Sequence, residues 1–170
     1  SRRVAITGVG AICALGHDAD TIWRGMREGR SAIAPLTGFD GQDMRVKVAA
    51  QVRDFDPASH FDSKKLILLD RVSQFALVAA REAVAQSGID FSQGELRQRS
   101  ACVIGTGTGG EVTNDECSKR LYAEGNPRLH PLSIVRRMMS APASQVSIEF
   151  GITGPSFAVS SACASANHAF

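Results

Sequence analysis

The segment Phe157-Ala158-Val159-Ser160-Ser161-Ala162-Cys163-Ala164-Ser165-Ala166 sets a thiol where an apolar strand pattern gives way to a run of small residues. A reactive side chain on a tight strand-to-helix turn tolerates only small neighbours, as in hydrolase nucleophile elbows, and Ser161 and Ser165 flank Cys163 at two residues on either side. At the start of a helix a thiolate would meet unpaired backbone N–H groups and the positive end of the dipole, which favour the nucleophilic form. The same N–H groups could stabilise an oxyanion after attack on a thioester carbonyl. Taken alone, a cysteine among small residues is more often a packing residue than a nucleophile. His168, the nearby imidazole, stands five residues on, where a helix turns it roughly 140° away from Cys163. Any acid or base partner has to come from elsewhere in the protein.

The other chemistry-bearing patterns are weaker. Cys13, Cys102 and Cys117 are far apart, with no C-x-x-C and no paired Cys/His spacing, so they read as reduced, packed thiols and neither zinc nor a disulfide framework is expected. Gly8-Val9-Gly10 follows an apolar run, but the next glycine position of a dinucleotide fingerprint is Cys13, and no acidic residue ends a second strand at the required distance. Gly105 to Gly110 lacks the Lys-Ser/Thr pair that ends a phosphate loop and reads instead as a close backbone approach beside the reactive centre. No cofactor or metal is expected.

The elements that must position Cys163 are legible in outline. Val4-Ala5-Ile6, closed by Gly8 and Gly10, predicts a first parallel strand. Ile22, Trp23 and Met26 predict a short helix from Asp20 to a stop at Gly29; a loop then runs to about Gln42, and Val46 to Val52 reads as a strand or hairpin arm. One long helix is predicted from Ser63 to Ser87, capped by Asp62 and ended by Gly88. Its stripe of Leu66, Leu69, Val72, Phe75, Ala76, Ala79, Ala83 and Val84 faces a sheet, and the alanines allow close approach. Ala101 to Gly105 predicts a buried strand and Ser156 to Ser161 a strand; Glu111 to Ala123, Ser133 to Met139 and Pro142 to Phe150 predict helices, and a further helix starts at Cys163. The chain stops inside that element, so it is expected to be part of a longer polypeptide, one domain or half of a pseudo-symmetric pair.

Composition limits the function classes. The 170 residues are 44% hydrophobic and 21% charged, enough for a real core, and 19 Lys plus Arg against 17 Asp plus Glu leave a net charge of only +2. That is far from the basic footprint of a nucleic-acid binder, and no apolar run reaches the roughly 18 residues of a membrane helix. Neither nucleic acid nor membrane is expected as a partner. With no signal-peptide core near Val4, the chain reads as cytoplasmic.

Five motifs in register resemble the β-ketoacyl-acyl-carrier-protein synthases: Val4-Ala5-Ile6-Thr7-Gly8-Val9-Gly10, Leu69-Asp70-Arg71, Ile104-Gly105-Thr106-Gly107-Thr108-Gly109-Gly110, Gly154-Pro155-Ser156 and Ser161-Ala162-Cys163-Ala164-Ser165. The resemblance covers residues 1–170 and implies the N-terminal half of an elongating, ketosynthase II-like condensing enzyme. The implied fold is α/β and thiolase-like, a mixed, mostly parallel sheet covered by helices. It implies that Cys163 takes an acyl chain from acyl carrier protein as a thioester, and that a malonyl carrier is then decarboxylated and condensed with it. Two histidines and a lysine that support this step lie in the family's other half, so 170 residues alone should be acylated but not condense. Gly107, Thr108 and Ala162 would line the substrate site. Ser133 and Ile134 match a segment that reaches the partner's acyl pocket, implying a homodimer, although Arg136 to Pro142 departs from the family's pattern there. Lys64, Lys65 and Arg128 would dock acyl carrier protein, with Ile67 and Leu68 standing where further basic residues are common. Two alternatives are a thiolase-like enzyme acting on coenzyme A esters and a non-catalytic ketosynthase-like partner subunit, which would not need the thiol. A Cys/His hydrolase would need a better-placed imidazole than His168.

Overall fold

A computed structural model describes residues 3–38 and 44–170. The elements are α1 (Ala19–Arg27), β1 (Ala34–Pro35), β2 (Val48–Ala49), a 3-10 turn (Pro57–Ser59), α2 (Ser63–Leu66), α3 (Arg71–Ser87), α4 (Leu96–Arg99), β3 (Cys102–Gly105), α5 (Glu111–Ser118), a π-helical turn (Lys119–Ala123), α6 (Ser133–Arg137), α7 (Ala141–Phe150), β4 (Ser156–Val159) and α8 (Ser165–Ala169). They fall into two compact units, Ser1–Asp56 with Val78–Gly88, and Pro57–Leu77 with Ile89–Phe170. None of the helices is long and apolar enough to cross a membrane, among the described residues.

In the first unit α1 is capped by Asp18, whose carboxylate accepts from Thr21 N at 2.6 Å and from Thr21 Oγ1 at 2.8 Å. The hairpin arm expected from Val46 to Val52 is reduced to β2, paired antiparallel with β1 through Ala34↔Ala49 and Pro35↔Val48. The end of the loop expected to run to Gln42 lies outside the described residues. The first parallel strand does not form: no ladder joins residues 3–10 to another strand among the described residues. The residues just after it are held by a helix, Val9 N donating to Gln86 Oε1 at 2.5 Å and Ala11 N to Glu82 Oε2 at 2.8 Å. The other oxygen of Glu82 accepts from Ala19 N at 2.8 Å, so one carboxylate ties this segment and the start of α1 to the latter half of α3. The contact needs glycine: a Cβ on Gly10 would lie 1.9 Å from the carbonyl oxygen of Ala79, and one on Gly8 2.0 Å from that of Ala83. The small residues of α3 thus permit the predicted close approach, to this glycine-bearing segment rather than to a strand.

The second unit is built on β3 and β4, parallel in the register Cys102↔Ser156, Val103↔Phe157, Ile104↔Ala158 and Gly105↔Val159, with α7 and α8 packed against them. The helix α7 starts with Pro142 in its first turn and ends at Gly151, which sits at φ +66° as its sequence predicts. It buries Ala143 and Val146 against the sheet, and Cys102, Phe61, Leu69 and Leu77 are further buried apolar residues of the unit. The single helix expected from Ser63 to Ser87 is two helices. Asp62 caps α2 as predicted, accepting from Lys65 N at 2.8 Å, but the chain leaves helical form before Arg71 and starts again as α3. The break falls at Asp70, which is 2% exposed; its Oδ1 accepts from Val72 N at 3.1 Å and restarts the helix. Its Oδ2 is taken by Thr113, as described below.

Candidate active site

Cys163 follows β4 by a turn rather than opening a helix. The helix expected from Cys163 onward begins at Ser165, because the preceding turn closes on itself: Ala164 N donates to Ser161 O at 3.1 Å and Ser165 N to Ala162 O at 3.2 Å. Those two N–H groups, expected to be free for a thiolate or an oxyanion, are therefore occupied. The turn is held further by Ser165, whose hydroxyl donates to Ala162 O at 2.6 Å and accepts from Ser161 N at 2.9 Å. Ala162 sits at φ +50°, the left-handed region that costs a residue with a Cβ roughly 1–2 kcal/mol. The strain presents the next residue: Cys163 is exposed while Ser165 is buried.

The glycine run packs against this turn. A Cβ on Gly105 would lie 2.3 Å from the carbonyl oxygen of Ser165, and one on Gly107 would lie 3.8 Å from that of Ala162. The first contact requires glycine and the second leaves room for a side chain. Gly107 and Ala162 are therefore brought together beside Cys163, as the close-approach reading expects. Thr108 is exposed, and its carbonyl accepts from Thr106 Oγ1 at 2.5 Å, which shapes the turn. With Val72, Phe75, Gly109 and Val112 it lines an open cleft of about 260 Å³, which the charged Arg71 and Glu111 and the buried Asp70 also line.

Other predicted residues lie apart from Cys163. Ser133 is buried, its hydroxyl donating to His130 O at 2.7 Å, and lines a separate cavity of about 270 Å³ with Thr113, Cys117, His130 and Arg136. Ile134 is exposed on α6. Lys64 is exposed, whereas Lys65 is half-buried and its Nζ lies 3.6 Å from Glu149. Arg128 is exposed in the loop before α6. His168 is hydrogen-bonded through Nδ1 to Ser161 Oγ at 2.6 Å. Arg136 is within 3.8 Å of Glu116, and Arg137 donates to Asn114 Oδ1 at 3.3 Å, so both are engaged with α5.

Sequence reasoning assigned no role to Asp70 or Thr113. Both are buried, and Asp70 Oδ2 accepts from Thr113 N at 2.7 Å and from Thr113 Oγ1 at 2.6 Å. The signal was a carboxylate next to Leu69 on an apolar helix stripe, where an unpaired charge would be too costly.

A family model of the β-ketoacyl synthase N-terminal domain matches residues 1–170. The chain belongs to the β-ketoacyl synthase family. This β-ketoacyl synthase chain is similar to nodulation protein E of Rhizobium meliloti (strain 1021), at 42% identity over 168 residues, which cover 99% of the chain and 41% of that protein. It is similar to 3-oxoacyl-[acyl-carrier-protein] synthase 2 of Staphylococcus aureus (strain COL), at 34% identity over 164 residues, 96% of the chain and 39% of that protein. Among solved structures, the ishigamide ketosynthase/chain length factor matches with a TM-score of 0.81 at 28% identity, over 94% of this chain and 40% of that one. The fold is accordingly the thiolase-like α/β fold of ketosynthases, and the chain spans about 41% of the length of the first of these relatives.

Proposed function

We propose that this β-ketoacyl synthase chain is the N-terminal part of an elongating ketosynthase in which Cys163 carries the growing acyl group. The observation that bears the reading is the exposed Cys163 on a strained turn, with left-handed Ala162 before it and the Gly105–Gly110 run packed alongside. The Cys163 thiolate attacks the carbonyl of an acyl-carrier thioester, its backbone N–H helping to hold the oxyanion; the S–C bond to Cys163 forms and the carrier thiolate leaves. Loss of carbon dioxide from a malonyl carrier then leaves a carbanion that attacks the acyl-cysteine, releasing the Cys163 thiolate and a β-ketoacyl carrier two carbons longer. The groups that assist this second step, two histidines and a lysine by the family resemblance, belong to the remainder of the polypeptide.

On this reading Gly107, Thr108 and Ala162 line the acyl site, and Ser133 and Ile134 lie toward a second copy in a homodimer. Lys64, Lys65 and Arg128 receive acidic acyl carrier protein in the cytoplasm. The name of the relative from Staphylococcus aureus supports the reaction class. A second reading, a non-catalytic subunit of a heterodimer, is favoured by the solved structure whose name pairs a ketosynthase with a chain length factor. Intact mass spectrometry of the complete protein with an acyl-carrier donor separates the two. The catalytic reading expects one acyl adduct, lost in Cys163→Ala; a wild-type protein that takes up no acyl group overturns it.

A further inference from the structure

The helix α5 begins at Glu111 with Gly110 in its N-cap position, and Gly110 has no side chain to receive the first N–H groups. Asp70 supplies what is missing from 43 residues away, accepting from the N–H and the hydroxyl of Thr113 in the first turn of α5. Gly110 is glycine for the same reason, since a Cβ there would lie 2.8 Å from the Asp70 carboxyl carbon and 2.6 Å from the carbonyl oxygen of Arg136. The Gly107–Gly110 turn is thus clamped at its far end by Asp70, while Gly107 lies beside Ala162 at its near end. Thr108 sits between the two in sequence and lines the same cleft as Asp70, Val72, Phe75 and Val112, with Arg71 and Glu111 also along it.

We infer that Asp70 is a positioning residue that sets which acyl lengths the enzyme accepts. It holds α5 as a remote cap and so fixes where Thr108 and Val112 stand around the cleft. The inference rests on the reading of Cys163 as the acylated residue. Asp70 acts through Thr113 and the first turn of α5, so its effect falls on discrimination between acyl chains rather than on the chemistry at sulfur. A short acyl group that ends before Thr108 is insensitive to the clamp, and a long one that must pass it is sensitive.

The test uses the complete ketosynthase, with acylation of Cys163 followed by intact mass from a short and a long saturated acyl carrier, together with Tm. Wild type, Asp70→Asn, Thr113→Ala and Thr113→Ser are compared. Asp70→Asn and Thr113→Ala are expected to change the long-to-short ratio of loading rates by about five-fold or more, below the roughly 100-fold that a misplacement of about 1 Å can cost. Thr113→Ser, which keeps the hydroxyl, stays near wild type. A ratio within about two-fold of wild type in folded Asp70→Asn, whatever the change in Tm, assigns Asp70 a purely structural role and overturns the inference. Should Asp70→Asn fail to fold, Thr113→Ala decides by the same ratio. If wild type is not acylated at Cys163 by either donor, the proposed function falls and this inference with it; loading with an unchanged ratio overturns the inference alone.

Discussion

The four thiols of this chain differ by what surrounds each sulfur. Cys102 is buried on β3, and desolvation pushes its thiol above the ordinary value of 9.0, a hydrogen bond with Ser147 opposing this. Cys163 is exposed, and Cys13 and Cys117 are partly covered. Alkylation of the folded protein should therefore label Cys163 first and Cys102 last, read by peptide mass mapping; equal rates at the two would count against the presented turn. A raised folded-state value means the Cys102 contribution to stability is complete below the unfolded thiol value and declines as pH rises toward the folded one, so alkaline unfolding is steeper with Cys102 than in Cys102→Ala. Asp18 runs the other way. The N–H and hydroxyl of Thr21 hold its carboxyl below the usual range, so its contribution is present above about pH 4 and is lost as pH falls through the folded-state value. Asp18→Ala should cost about 0.5–2 kcal/mol near neutrality in urea unfolding and converge with wild type in acid. Cys163 was legible as a candidate because small neighbours and a strand-to-helix change are local features. The occupied N–H groups of Ala164 and Ser165 were not, since the pattern does not say where a helix takes its first hydrogen bond.

Elements whose limits depend on their own residues were read well, and those fixed by distant partners were not. The cap at Asp62, the stop at Gly88 and the Pro142-to-Gly151 frame of α7 are all encoded within a turn of the place they act. The interruption between α2 and α3 falls at Asp70, whose carboxylate also binds Thr113, and the residues after the expected first strand give the N–H groups of Val9 and Ala11 to Gln86 and Glu82. A helical stripe records which face is apolar and is silent on which polar residue on the other side will bind backbone. The contact between α3 and the segment at Gly8 and Gly10 makes a sharp prediction. Gly10→Ala places a carbon 1.9 Å from a carbonyl oxygen that cannot leave its helix, and should destabilise by about 1–3 kcal/mol or more, measured as a lower urea midpoint.

At the scale of the whole molecule, the chain covers 41% of nodulation protein E, and its proposed reaction needs groups from the remainder. On the proposed reading, encounter with an acidic carrier is governed by charges left exposed in the folded protein. Lys64 is exposed while Lys65 is near Glu149, so Lys64→Glu should raise KM for acyl carrier protein in the complete enzyme more than Lys65→Glu. The difference should shrink at high salt. An unchanged KM for both places docking elsewhere, with Arg128 the next to test. Ala162 carries a consequence for anyone who evolves this protein for heat tolerance. Glycine at that position relieves the left-handed backbone, so a library ranked on melting alone would enrich it. The same winners would aim their sulfur more loosely, and a screen that scored turnover would reject them.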